Sequence, residues 1–121
     1  GELVDIGNEL PSLDSELLSG YVQSLGQDVV QQMLALYSQQ SSIYLTDIEA
    51  ALQNNSAELW QEHCHKMKGA AGSVGLKSLH ARLATMEKLA DCAREKAQQL
   101  TELNIHNDQA ITDFNDWIDN L

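Results

Sequence analysis

Residues 63–76 read HCHKMKGAAGSVGL, and this stretch decides how the rest of the chain is interpreted. Its apolar residues recur at helical spacing, yet it also contains Gly69, Gly72 and Gly75. A glycine inside a helix costs about 1 kcal/mol relative to alanine. The glycines therefore need a reason, and the face of the helix on which they lie indicates what that reason is.

The helical turn of about 100° per residue assigns the side chains of this stretch to opposite faces. With Met67 at the centre of the buried face, Trp60 lies within about 40° of it. His65 lies about 160° away, so its imidazole should face solvent. Gly69 and Gly72 follow on the same outer face, one and two turns beyond His65. Bare backbone beside an exposed imidazole would permit the close approach of another molecule.

The two histidines of the stretch do not make a metal site. His63 lies about 40° from the core centre, on the opposite side of the helix from His65. Chelating pairs on one helix need a spacing of three or four residues. We interpret His63 as a core-edge histidine with a hydrogen-bond partner. Lys68, three residues after His65, could place its ammonium near an anion on the imidazole. The alternative is an ordinary exposed histidine beside two surface glycines.

Helical periodicity covers nearly the whole 121-residue chain, and strand-type alternation is nearly absent. Ser56 is a predicted N-cap, and Gly26 and Gly75 are predicted to end helices. The predicted apolar stripe of the first helix is Leu17, Tyr21 and Leu25. After an irregular lead-in, the spacing predicts helices over about 13–25, 27–54, 56–74 and 76–91 or longer, and a last helix that ends near 120.

The boundary between the last two helices has two predicted positions. Cap-forming residues favour a break at 104–107, whereas matched helix lengths favour one around 91–95. A heptad-like seam crosses the second position through Leu76, Leu79, Leu83, Met86, Ala90, Ala93, Ala97 and Leu100. The predicted stripe of the last helix is Ile111, Phe114, Ile118 and Leu121. Either position predicts one all-α domain over residues 1–121, an antiparallel four-helix bundle with a short additional N-terminal helix.

The composition excludes several classes of partner. The chain carries 7 basic and 18 acidic residues, a formal charge of −11, which argues against nucleic-acid binding and against direct contact with anionic membranes. No apolar run is long enough for a transmembrane helix, and no signal peptide opens the chain. Cys64 and Cys92 have no recognised metal or redox spacing, so we expect free thiols in the cytoplasm. The Gly1 start favours a domain cut from a longer protein.

The twelve residues from His65 to Leu76 resemble the signature of histidine phosphotransfer (HPt) domains. That signature is a histidine, any residue, an apolar residue, Lys-Gly, two small residues, an apolar residue and Gly. KGAAGSVGL is especially similar to the C-terminal HPt domains of hybrid sensor kinases of the ArcB and TorS types, slightly more so to the second. The resemblance extends to the chain length and the five-helix layout.

The resemblance implies a role for each residue of the site. His65 would be the phospho-acceptor, Lys68 would neutralise phosphate charge, and Gly69 would leave room for the partner. Family members often carry a glutamine 22 residues after the histidine, which holds the imidazole; this chain has Glu87 there. A carboxylate could also accept the Nδ1 proton, but it would repel phosphate. The alternative for Glu87 is a solvated surface acid.

The resemblance also implies a function and its partners. The domain would be a monomeric phosphocarrier without its own ATP site, exchanging a phosphoryl group between His65 and the phospho-aspartate of response-regulator receiver domains. It would carry no cofactor, since Mg²⁺ would come from the receiver. It could be the cytoplasmic C-terminal domain of an inner-membrane sensor kinase. Two alternatives are a non-phosphorylated helical adaptor and a small all-α enzyme with a histidine general base.

Overall fold

The computed structural model of this chain describes residues 12–89 and 92–121. Its elements are α1 (Ser15–Leu25), α2 (Gln27–Gln53), α3 (Ala57–Ser73), α4 (Lys77–Met86) and α5 (Ala93–Asp119). Helix α2 packs against α3 and α5, α4 packs against the same two helices, and α1 lies on α2. Short connections favour antiparallel packing of consecutive helices from α2 to α5. The predicted all-α bundle with an additional N-terminal helix is confirmed. Apart from Ser12, the predicted lead-in lies outside the described residues.

Local cap chemistry sets several helix ends where the sequence predicted them. The Ser56 hydroxyl accepts a hydrogen bond from the Leu59 backbone N–H at 3.1 Å, which satisfies one orphan donor at the start of α3. Gly26 and Gly75 have φ angles of 93° and 73°, a left-handed region that favours glycine. Gly26 stops α1 and Gly75 follows α3. Asp14, a cap that the sequence analysis missed, accepts from the Leu17 N–H at 3.2 Å.

The buried residues confirm the middle of the predicted apolar stripes and correct the residues at their ends. Leu18, not Leu17 or Leu25, is the fully buried residue of α1, because it packs on the turn after α3 and a Cβ on Gly75 would lie 3.1 Å from it. Leu25 and Leu121 are exposed where their helices end. The buried residues of α5 are Lys96, Leu100, Leu103, Asn107, Ala110, Phe114 and Ile118, so the predicted Ala93 and Ala97 positions are wrong.

The continuous seam through residues 76–100 is also wrong, since α4 ends at Met86. The Trp60 indole N–H donates to the Met86 carbonyl at 2.8 Å, so a side chain from α3 takes the acceptor that a continuing helix would use. After Met86, the chain forms a turn in which the Lys88 N–H donates to the Thr85 carbonyl and the Leu89 N–H donates to the Met86 carbonyl. Helix α5 starts at Ala93, within the earlier of the two predicted breaks.

The end of α3 is tied to the segment before α1. The Asp14 N–H donates to the Gly75 carbonyl at 2.8 Å, and the Lys77 N–H donates to the Ser12 carbonyl at 3.1 Å. The Tyr21 hydroxyl donates to the Ser73 carbonyl at 3.0 Å. These contacts hold the glycine-rich half of α3 in place against its neighbours.

Candidate functional site

His65 lies on the outer face of α3, as its helical angle predicted. Its side chain is 67% exposed, whereas Trp60, Cys64 and Met67 on the opposite face are buried. Burial raises the pKa of the Cys64 thiol to about 12, so this cysteine is a protonated core residue. Of the two ring systems in the HCH triplet, the one at position 65 is the accessible one.

Three side chains meet at one carboxylate oxygen. Oε1 of Glu87 lies 3.4 Å from Nδ1 of His65 and 2.7 Å from Nζ of Lys68. Lys68 is therefore the primary partner, and the imidazole contact is at the outer limit of a hydrogen bond. The Glu87 side chain is only 12% exposed, so this residue is not a solvated surface acid. Residues from α3 and from the end of α4 thus converge beside the exposed ring.

The charges of this cluster favour an ionised Glu87. The hydrogen bond from Lys68 is the largest cause that lowers the pKa of the Glu87 carboxyl below its usual value, and the His65 contact lowers it further. Partial burial acts in the opposite direction. An ionised carboxylate can only accept, so a hydrogen bond to His65 needs the proton on Nδ1. The lone pair of Nε2 is then free at the exposed edge of the ring.

The two glycines beside His65 have different surroundings. Nothing lies within 4 Å of a Cβ placed on Gly69, so the surface there is open. A Cβ on Gly72 would lie 2.9 Å from Nδ1 of His80, which in turn lies 3.1 Å from the Lys68 carbonyl oxygen. The interpretation of Gly72 as part of the clearing is wrong, because α4 fills that space with the His80 ring.

His63 departs from its prediction. Its Nδ1 atom is buried and has no hydrogen-bond partner among the described residues, so the expected partner is not there for this nitrogen. The described ranges also contain no group of three or more His, Cys, Asp or Glu residues arranged to hold a metal ion.

A groove of about 580 Å³ runs from His65 along the boundary of α2 and α3. Gly69 and Ser73 lie on one wall, and Met33, Leu36 and Gln40 lie on the other. Leu36 is 56% exposed. The sequence analysis did not identify this groove or its α2 wall. A signal was available, since the exposed residues Val29, Leu36 and Ile43 repeat every seven positions.

The opposite side of His65 is acidic. A second cleft, of about 340 Å³, is lined by Glu58, Glu62 and Glu87 together with His65 and Lys66. Lys66 pairs with Glu62 at 3.2 Å, with both side chains about half exposed. His65 therefore stands between a largely apolar groove and a carboxylate-rich cleft.

Comparison with known proteins decides the family. The Hpt domain model matches residues 32–121, about three quarters of the chain and all of α3, α4 and α5. The chain belongs to the Hpt family. Hpt domains are phosphotransfer modules and are not kinases themselves, so the predicted phosphorelay function is confirmed at this level.

Two kinds of relative accompany the family match of this Hpt domain. The aerobic respiration control sensor protein ArcB of Escherichia coli K12 and that of Shigella flexneri are each 34% identical over 67 residues, 55% of this chain. The match spans only 9% of their length. The solved histidine-containing phosphotransfer domain of ArcB from Escherichia coli superposes with a TM-score of 0.79 at 24% identity, covering 89% of this chain and 93% of that one. At that identity, the superposition shows the fold.

None of the described helices of this Hpt domain is both long enough and apolar enough to cross a bilayer.

Proposed function

We propose that His65 is the phospho-acceptor of this Hpt domain and exchanges the phosphoryl group with receiver-domain aspartates. The Nε2 lone pair attacks the phosphorus of the phospho-aspartate, the N–P bond forms, and the P–O bond to the aspartate breaks. The aspartate leaves as a carboxylate. The reverse reaction returns the phosphoryl group. The observation that carries the proposal is the 67% exposure of the ring together with Glu87 on its Nδ1 side.

In this proposal, Glu87 is a positioning residue. It accepts the Nδ1 proton, which fixes the tautomer that leaves Nε2 nucleophilic. When Nε2 carries the phosphoryl group, Nδ1 keeps its proton and the ring becomes cationic. The carboxylate then stabilises the ring charge in the phosphorylated form. Glu87 would serve in the way that the resemblance assigns to glutamine.

Lys68 offsets the repulsion between the Glu87 carboxylate and an incoming phosphate. Its ammonium lies 2.7 Å from Oε1 of Glu87, so the pair presents little net charge to an incoming phosphoryl group. Lys68 is 21% exposed, and its flexible stem can also turn one N–H towards a phosphate oxygen. The transition state of phosphoryl transfer is metaphosphate-like, so charge neutralisation and positioning are what this chain needs to supply.

The receiver would dock over the groove beside His65. The open space at Gly69 allows the acidic pocket of the receiver to reach Nε2. Exposed Leu36 and half-buried Met33 on the α2 wall offer apolar contact area, whereas the cleft with Glu58 and Glu62 would repel that acidic pocket. We therefore infer that the receiver approaches from the α2 side of His65.

The proposal also covers the oligomeric state, the cofactors and the cellular location of the domain. The Hpt domain acts as a monomeric carrier with no ATP site and no cofactor of its own, and Mg²⁺ comes from the receiver. It serves in the cytoplasm, free or as part of a hybrid sensor kinase. It contacts neither nucleic acid nor membrane, in accordance with its charge of −11.

Incubation with a phosphorylated receiver and Mg²⁺ tests the proposal. We expect acid-labile, base-stable phosphate on the wild type and none on His65→Gln. His80→Gln is the matched control, since His80 is another exposed histidine, and it should keep the label. The absence of label on the wild type with a broad receiver panel would favour the adaptor alternative. Label on His65→Gln would place the acceptor elsewhere.

A further inference from the structure

A small cavity lies between the first turns of α3 and α5 and the end of α2, at a place that the phosphotransfer proposal does not use. Its volume is about 40 Å³. Ser56 and Ala57 from the start of α3, Ala93 from the start of α5, and Trp60 and Lys96 line it. One ordered water needs about 10 to 15 Å³ of such space. The cavity therefore admits a few waters or a monatomic ion and is too small for a nucleotide or sugar phosphate.

The starts of α3 and α5 bring partial positive charge to this region, and the end of α2 brings Ala51 and Leu52, whose carbonyls already accept from the Ser56 and Asn55 N–H groups. The first-turn N–H groups of a helix have no acceptor within the helix, and the macrodipole adds to their charge. The caps take one N–H each: Ser56 Oγ accepts from Leu59, and Cys92 Sγ accepts from Glu95 at 3.4 Å. The other first-turn N–H groups lack an acceptor within their own helices. Anions bind at such helix ends.

Lys96 is an independent observation that points to an anion. The residue is 7% exposed and lies in the cavity wall. Its ammonium lies 5.3 Å from the centroid of the Trp60 ring. In the part of the chain that the structure describes, no carboxylate lies within 4.0 Å of it and it donates no hydrogen bond. A cation–π contact offsets only part of the cost of burying an ammonium.

The acidic character of the chain does not cancel this local charge. Glu58 and Glu95, in the first turns of the two helices, are exposed, so water and salt screen them. Charges beyond about 10 Å are largely screened at 0.1 M ionic strength. Lys96 is buried and screened much less. Of the described residues that line the cavity, Lys96 is the one that carries a charge.

From this geometry we propose that the cavity between the starts of α3 and α5 binds a monatomic anion of the chloride class, with Lys96 as its counter-charge. The anion accepts N–H groups from the first helical turns and offsets the burial of the Lys96 ammonium. This site does not involve His65, so its test is independent of the phosphotransfer proposal.

Thermal unfolding of the whole chain in sodium chloride and in sodium gluconate, at equal ionic strength, tests the site. We expect chloride to raise the melting temperature of the wild type saturably, because it binds the folded state. Lys96→Met should remove the difference between the two salts. Arg94→Met is the matched control: it removes an exposed cation from the same helical turn and should keep the chloride effect. Ala57→Asp, which places a carboxylate at the cavity wall, should also abolish the chloride response.

Fluorescence gives a second measurement that does not depend on unfolding. In a Trp117→Phe background, Trp60 is the single indole, and bromide bound beside it should quench in a saturable way that chloride competes away. Lys96→Met in that background should leave only weak linear quenching. Equal melting temperatures in both salts for the wild type, together with linear quenching in both backgrounds, would mean that water alone fills the cavity, and would overturn the proposal. A chloride effect that persists in Lys96→Met would overturn it as well.

Discussion

The ring of His80 occupies the space that a side chain on Gly72 would need. A Cβ on Gly72 would lie 2.9 Å from Nδ1 of His80, and the same nitrogen lies 3.1 Å from the carbonyl oxygen of Lys68. Gly72 therefore serves the contact between α3 and α4. Gly69, three residues earlier on the same helix, meets open space. Two glycines that look equivalent in the sequence thus have separate tasks, one in packing and one at the surface beside His65.

This difference predicts opposite responses to alanine. Gly69→Ala should stabilise the protein by up to about 1 kcal/mol, because it adds helix propensity and no contact. Gly72→Ala gains the same propensity but must displace the His80 ring and weaken its hydrogen bond, which is worth about 1 kcal/mol. We expect Gly72→Ala to be about 1 kcal/mol less stable than Gly69→Ala in urea unfolding. Equal free energies of unfolding for the two variants would contradict the assigned role of Gly72.

A larger side chain at position 69 should affect transfer and spare the fold. Gly69→Leu should keep the helical circular dichroism signal and the melting temperature, since the position is open. The initial rate of phosphoryl transfer from a phosphorylated receiver should fall at least about tenfold, which corresponds to a loss of about 1.4 kcal/mol in transition-state stabilisation. The transfer rate of Gly69→Ala should lie between the rates of the wild type and Gly69→Leu. A wild-type rate for Gly69→Leu would show that the partner does not need this space.

The fold could be predicted from the sequence wherever local chemistry decides it. Ser56, Gly26 and Gly75 act through their own side chains or backbone angles, and each is where the sequence placed it. The end of α4 could not be predicted in the same way. The apolar seam continues past Met86, and the bond that ends the helix comes from Trp60, 26 residues earlier.

The site follows the same division between local and tertiary information. The outward direction of His65 follows from helical angles alone, and its side chain is exposed as those angles predict. The shared oxygen of Glu87 could not be foreseen, because Lys68 is on α3 and Glu87, 19 residues later, directly follows the end of α4. The task of Gly72 was missed for the same reason, since its neighbour His80 comes from α4. Side chains that are distant in the sequence decide these contacts.

The ion pair of Lys68 and Glu87 should make a pH-dependent contribution to stability. The pKa of Glu87 is lowered in the folded state from its ordinary value of 4.5, chiefly by the hydrogen bond from Lys68. A lowered carboxyl pKa contributes stability that is present above the unfolded pKa and is lost as the pH falls through the folded pKa. Lys68→Met should therefore cost about 1 kcal/mol at pH 7, and the difference from the wild type should fade below about pH 4.5.

Urea unfolding at a series of pH values measures this difference. Lys66→Met is the matched control, because its partner Glu62 and Lys66 itself are both about half exposed. Such surface pairs contribute about 0 to 1 kcal/mol, so the control should show a smaller pH-dependent loss. Glu87→Gln in combination with Lys68→Met should add little beyond either change alone if the two residues form one unit. A Lys68→Met deficit that stays constant down to pH 3 would exclude the ion pair as its cause.

The bond between Trp60 and Met86 should connect the stability of the bundle to the site. Trp60→Phe keeps an aromatic ring but removes the N–H that reaches the Met86 carbonyl at 2.8 Å, which leaves that carbonyl with the Leu89 backbone N–H, at 3.1 Å, as its remaining donor. We expect a loss of about 2 kcal/mol in the free energy of unfolding, from the lost buried hydrogen bond and the smaller ring. Glu87 follows Met86 directly, so its backbone N–H should exchange faster with solvent and the transfer rate should fall. Trp117→Phe is the control, since Trp117 is half-buried and should cost less. If both variants lose equal stability and keep the same amide exchange at Glu87, the end of α4 does not depend on the indole, because the turn after Met86 would then hold through its backbone bonds alone.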